Sequence, residues 1–232
     1  MKKLVLVSGG LDSTVLLYKT VEDYGAENVI ALSIFYGQKH AIERDFAVWQ
    51  CEHLGVQLIE ADLSLIFKYN LDVCSLLQGS KLNIVHKSYA EQLEDIGGSG
   101  TISAYVPYRN GIFLSFATAV ALQLDCDELF YGAHADDAAG HAYPDCTEEF
   151  IMSQACAIDH GTAGKVTMKA PWWRSNKAEI VAAGLSLGMA EEEFRHTWSC
   201  YDGDEAAGPC GTCGTCVDRI AAFRANGIQD ML

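Results

Sequence analysis

Ser8-Gly9-Gly10-Leu11-Asp12-Ser13 places two glycines, a carboxylate and two hydroxyls between an apolar run and an amphipathic one. A glycine-rich turn from strand to helix lets backbone N–H groups close on an anion, and the helix start adds a favourable dipole. An ordinary tight turn would use the glycines alone. Ser8 and Ser13 add hydroxyl donors, and Asp12 adds a carboxylate able to hold magnesium. The two common phosphate-binding patterns, G-x-x-x-x-G-K-S/T and G-x-G-x-x-G, do not occur in the chain. The chemistry implied is a phosphate cradle of another type.

A second group, Cys200, Cys210, Cys213 and Cys216, has the spacing C-x9-C-x2-C-x2-C. Four thiolates at short spacing, with glycines that let the turn wrap a cation, suit tetrahedral zinc. An iron–sulfur cluster or a redox-active thiol pair would use the same residue type. Four sulfur ligands leave zinc no open position, so its expected role is to pin the tail to the domain. The other five cysteines are scattered and read as small core hydrophobes. An odd total of nine and one tight cluster suit a reducing interior better than a disulfide framework.

These groups need a frame. The run 3–7 reads as a buried strand and 11–24 as a helix stopped by Gly25. Strands are expected at 28–35, 56–63, 127–134 and 165–171. Helices are expected at 38–55, with Ala41, Phe46, Trp49 and Leu54 on the apolar face, and at 109–124, 148–161 and 175–188, the last capped by Ser175. Alternation of this length predicts an α/β fold: a parallel five-stranded sheet with helices on both faces, plus a small C-terminal zinc-binding segment. The division expected is 1–190 for the main domain, with 70–101 as an irregular insertion or lid, and 191–232 for the tail and its closing helix. The first, second and fourth strands open onto "SGGLDS", "FYGQKH" and "GAHADD". In a parallel sheet these carboxyl ends share one edge, so the three pieces converge on one cleft.

Sixteen basic against thirty-one acidic residues give a net charge of −15, and no basic cluster exists. Gripping a large nucleic acid requires clustered cations, so a direct nucleic-acid partner is not expected. The run 112–122 is too short to span a bilayer, and the N-terminus lacks a signal-length apolar segment. The expectation is a cytoplasmic protein without membrane contact.

"SGGLDS" resembles the signature of the PP-loop ATP pyrophosphatases, the adenine-nucleotide α-hydrolase-like, Rossmann-like group. "FYGQKH", "VPYRN", "YPDC" and "SCY" followed by "CGTCGTC" are similar to the 7-cyano-7-deazaguanine synthase family, from Lys3 to the closing helix. The sequence departs from that family at Tyr108, where a glycine is usual, and at "DDAAGHAYPDC", usually a compact "DYSGYPDC".

The resemblance implies ATP and magnesium at Ser8, Gly9, Gly10, Leu11, Asp12, Ser13, Thr14, Val15, Leu16, Leu17 and Tyr18, and one zinc on the four clustered cysteines. It implies an ATP-dependent C–N ligase of queuosine biosynthesis. The substrates would be 7-carboxy-7-deazaguanine, a small deazapurine base, and ammonia. A carboxylate oxygen is a poor leaving group. Adenylation lets ammonia displace it to give an amide, and a second adenylation leaves a nitrile. Asp12, Ser13, Lys177 and Arg109 are the catalytic candidates, with Arg109 suited to a carboxylate or phosphate. Tyr36, Gln38, His40, Arg109, Asn110, His134, Asp136 and Asp145 are the substrate candidates, Asp145 as acceptor for a guanine-like N–H edge. His134, Asp136 and Asp137 fall at the cleft edge. The family also suggests a homodimer. The alternatives are a tRNA-modifying PP-loop enzyme such as a thiolase, and a zinc-bearing nucleotide-binding module without catalysis.

Overall fold

The computed structural model describes residues 1–204 and 206–230. In chain order the elements are β1 (Lys2–Leu6), α1 (Leu11–Tyr24), β2 (Val29–Phe35), α2 (Glu43–Leu54), β3 (Gln57–Asp62), α3 (Ser64–Phe67) and α4 (Tyr89–Asp95). Then follow α5 (Arg109–Gln123), β4 (Cys126–Phe130), α6 (Ala135–Ala138), α7 (Glu148–Gly161), β5 (Thr167–Lys169), α8 (Lys177–Ser186), α9 (Glu191–Arg195) and α10 (Gly214–Ala225).

The five strands form one parallel sheet in the order β3-β2-β1-β4-β5. Helices cover both faces, so the inner strands β1 and β2 are mostly apolar and their successive residues enter different cores, while the edge strands β3 and β5 keep exposed polar residues. Leu4, Ile30 and Leu129 point to one face with Leu114 and Ala117 of α5. Val5, Ala31 and Phe130 point to the other, with Leu16 and Leu17 of α1 and Ile180 of α8. Ala222 and Phe223 of α10 join that second core, so the closing helix completes the cover of the sheet. Strand order reverses direction between β1 and β4. In such sheets the crevice for a ligand lies there, outside the carboxyl ends.

Two expectations are corrected. Helix α2 starts at Glu43, not near Gln38, because residues 37–39 pair with the insertion: Lys39 N donates to Leu76 O and Gln78 N to Gly37 O. Its buried residues are Glu43, Ala47, Gln50 and Cys51. Phe46 and Trp49 instead cover the C-terminal tail, with Phe46 5.6 Å from Trp198 and Trp49 stacked on His196 at 3.7 Å. Helix α8 is capped by Asn176 rather than Ser175. The Asn176 side chain accepts from Glu179 N, and the Glu179 carboxylate accepts from Asn176 N. Segment 70–101 is anchored: Cys74, Leu76, Leu77, Tyr89 and Leu93 all enter the first core.

Tyr108 sits at φ +56°, a left-handed conformation that glycine adopts at no cost. Its ring packs against Gly111 and its hydroxyl accepts from Gln154, which holds the tyrosine there. Gly9 is the position where glycine is required. It has φ +96°, and a Cβ there would overlap the carbonyl oxygen of Glu43 and lie 2.9 Å from Ala47 N. Gly9→Ala is therefore expected to destabilise by about 1–3 kcal/mol through overpacking, with about 1–2 kcal/mol more from the backbone. Thermal unfolding checks this, and an unchanged melting temperature would refute it.

Candidate active site

The cleft outside β1 and β4 opens to solvent and holds about 200 Å³ of internal space. Its lining has two poles.

The first pole is built on the β1–α1 turn. Ser8 Oγ accepts from Gly10 N at 3.1 Å. Ser13 Oγ donates to Gly10 O and accepts from Ser8 N, each at 3.2 Å. The hydroxyls thus fix the turn. No side chain caps α1, so the orphan N–H groups of its first turn stay free for an anion. Asp12 Oδ2 accepts from Lys177 Nζ at 2.9 Å and lies 3.6 Å from His134 Nε2, which is 3.4 Å from Asp137. Burial alone would push the Asp12 carboxyl up; Lys177 and His134 outweigh it and hold it well below the usual carboxylate range. Burial would likewise depress His134, but Asp137 and Asp12 raise it above its ordinary value. Asp12 Oδ1 and His134 Nδ1 are buried without a partner among the described residues. An unpartnered buried carboxylate oxygen beside free N–H groups fits a cation held against phosphate oxygens.

The second pole combines Tyr36, His40, Glu43, Arg109 and Phe113 with apolar side chains of β2. Arg109 NH1 donates to Tyr36 Oη at 3.1 Å and its Nε to Asn110 Oδ1 at 3.4 Å, both neutral. Its charge is therefore available to an anionic ligand. His40, in contact range of both Tyr36 and Tyr201, is pushed down to about 3 by burial and stays uncharged.

Of the sequence candidates, Ser8, Gly10, Asp12, Ser13, Tyr36, His40, Arg109, Asn110, His134 and Lys177 line the cleft. Leu11, Thr14, Val15, Leu16 and Leu17 do not; they are fully buried because the inner face of α1 packs on the sheet. Tyr18 turns to Gln50, its hydroxyl donating to Oε1. Gly9 serves the approach of α2, and its carbonyl accepts from Trp198 N at 2.9 Å. Gln38 stands behind the wall, accepting from Tyr36 N and donating to Glu43. Asp136 accepts from Lys177 N at the start of α8. Asp145 accepts from Asn110 N at the start of α5, so it fixes that helix and does not reach the cleft. Glu43, Phe113, Tyr131, Ser199, Tyr201 and Thr215 line the cleft and were not among the sequence candidates. The signal for three of them was their place beside clustered cysteines.

The thiols of Cys200, Cys210, Cys213 and Cys216 lie within 4.8 Å of one another. Backbone N–H groups of Cys210 and Cys213 aim at the sulfurs of Cys200 and Cys210 at 3.2 and 3.3 Å. Such donors favour thiolates, and the group could hold a metal ion. Ser199 and Tyr201 flank Cys200 and Thr215 precedes Cys216, so this group and the cleft share a wall.

Sheet, turn and cleft together define a PP-loop α/β domain. A solved U34-tRNA thiolase from Methanococcus maripaludis, described with its 4Fe-4S cluster, superposes at a TM-score of 0.50. It shares 20% identity, over 81% of this chain and 57% of that one, a likeness of fold alone. The model of the family described as queuosine biosynthesis protein QueC matches residues 2–227. The chain belongs to the QueC family, enzymes of queuosine biosynthesis. It is 38% identical to a 7-cyano-7-deazaguanine synthase of Alteromonas mediterranea, over 99% of this chain and 96% of that one. It is 39% identical to that of Caldicellulosiruptor saccharolyticus, over 99% and 94%, and 36% identical to that of Archaeoglobus fulgidus, over 100% and 90%. Among the described residues, no helix is long and apolar enough to cross a membrane.

Proposed function

We propose that this enzyme converts 7-carboxy-7-deazaguanine and ammonia to 7-cyano-7-deazaguanine, splitting ATP to AMP and pyrophosphate at each of two activations. The observation that carries the reading is the two-pole cleft: a phosphate turn with Asp12 and Lys177 at one side, and at the other an aromatic pole with Arg109, which pairs with no acid among the described residues. The turn would hold the β and γ phosphates by N–H groups and the Ser8 and Ser13 hydroxyls. Magnesium at Asp12 would supply charge neutralisation on the leaving pyrophosphate. Arg109 would orient the base's carboxylate toward the α phosphorus. The acyl oxygen attacks there, pyrophosphate leaves, and ammonia displaces AMP to form the amide. The amide oxygen is adenylated in turn, and loss of AMP and a proton leaves the nitrile. Lys177 would steady phosphate charge.

Zinc suits the four cysteines better than an iron cube, which would hold its sulfurs further apart than a single tetrahedral ion does. The reading takes free ammonium as the nitrogen source and a homodimer as the working form. The net charge of −15 weighs against a tRNA substrate.

The test is to incubate purified protein with the carboxylated base, ammonium and ATP-magnesium, and to follow products by mass spectrometry. Amide followed by nitrile is expected, with two AMP per nitrile. AMP without either product, or no AMP at all, would overturn the reading.

A further inference from the structure

Among the described residues three acids line the cleft, and two of them already have basic partners: Asp12 with Lys177 and His134, and Asp137 with His134. The third, Glu43, stands at the other pole in the first turn of α2, with 8% of its surface exposed. Its Oε1 accepts from Gln38 Nε2 at 3.1 Å, and Gln38 Oε1 in turn accepts from Tyr36 N at 2.9 Å. The carboxyl is therefore held in place by the end of β2. No hydrogen bond reaches Oε2 from the described residues. The nearest imidazole, His40 Nε2, is 3.8 Å from Oε1 and uncharged. Arg109 donates to Tyr36 and Asn110 and makes no ion pair with Glu43. Burial pushes the Glu43 carboxyl up to about 8, against the opposing pull of Gln38 and Arg109. A buried carboxyl with an oxygen open to a cavity is costly unless a ligand brings donors to it.

From this geometry we infer that Glu43 is a specificity-determining residue, reading the adjacent ring N–H and exocyclic amine of an aminopyrimidinone edge. Two donors side by side in one plane match the two oxygens of a carboxylate, and they favour the ionised form that burial alone disfavours. Ile34, Tyr36, Phe113 and Tyr131 line the same cleft and supply a wall for a flat heterocycle. Arg109 then lies where an anionic substituent elsewhere on the same ring can reach it. The inference rests on the base substrate proposed above and names the residue that recognises it.

The test compares equilibrium binding of 7-deazaguanine with that of 7-deazahypoxanthine, which lacks the exocyclic amine. The proteins are the full chain and its Glu43→Gln variant, with ATP affinity measured in the same samples as a control for folding. The original chain is expected to prefer the aminated base by about 10–100-fold. Glu43→Gln is expected to bring the preference within about threefold while ATP affinity holds. Glu43→Asp, which keeps the charge but draws it back, should retain the preference and weaken both bases; it serves if the glutamine variant does not fold. A preference that survives Glu43→Gln overturns the inference, even where the original chain makes the nitrile. A Glu43-dependent preference in a protein that makes no nitrile upholds the inference and sinks the proposed reaction. Failure of the original chain to bind either base ends both.

Discussion

Asp12→Asn is expected to lower kcat/KM for nitrile formation by about a thousandfold, the scale of losing one preorganised charge-stabilising group. Asparagine keeps the shape of the side chain but removes the charge that Lys177 meets at 2.9 Å and His134 at 3.6 Å, and the free oxygen suited to a cation. Lys177, with 7% of its side chain exposed, is then left buried and unpaired. Breaking a buried pair costs about 3–5 kcal/mol, with the lower end fitting here because Asp12 keeps 21% exposure.

The cost carries a pH signature. The depressed Asp12 carboxyl stabilises the fold above its unfolded-state pKa and loses this effect as pH falls through the folded one. The raised His134 stabilises below its unfolded value and loses this effect as pH rises through the folded one. The gap between the two proteins should be widest between about pH 4 and 6.5. It should narrow as His134 deprotonates, leaving the Lys177 pair. Denaturant unfolding at stepped pH checks this. A gap that widens toward alkaline pH, or turnover within tenfold of the original, would refute the assignment of Asp12.

Cys213→Ser is expected to empty the four-cysteine site and to lower the melting temperature by roughly 10 °C or more, since the binding energy of a structural ion is folding energy and each kcal/mol lost corresponds to about 2–4 °C at this size. Cys213 is fully buried, and Cys210 N–H and Trp198 lie in the same small core. Turnover should fall as well, although none of the four clustered thiols lines the cleft. Ser199, Tyr201 and Thr215 line the cleft beside their cysteine neighbours, so loosening the cluster loosens that wall. Tyr201 is also tied by its hydroxyl to Tyr89 of the insertion at 3.2 Å and to Tyr143 at 3.4 Å. Metal analysis, calorimetry and steady-state rates on one preparation decide the matter. Full metal content with an unshifted melting temperature would mean that these thiols hold no ion. Visible absorption from the bound metal would point to iron–sulfur instead of zinc.

The parallel sheet was legible because apolar runs of strand length alternated with helical periods, and burial on both faces forces that composition. The turn at residues 8–13 and the four cysteines were legible because their chemistry is local: glycines, hydroxyls and thiols close together in sequence act together in space. The wall of the cleft was not. Asp145 looked like a ligand for the base and instead fixes the start of α5, while Glu43 sits in the wall. Phe46 and Trp49 looked like one apolar helix face with Ala41 and Leu54, and that face covers the tail. Local pattern says that a side chain is apolar, acidic or nucleophilic, and how often it recurs. Which way it points when segments far apart in sequence meet depends on packing between them, and only the assembled tertiary structure decides that.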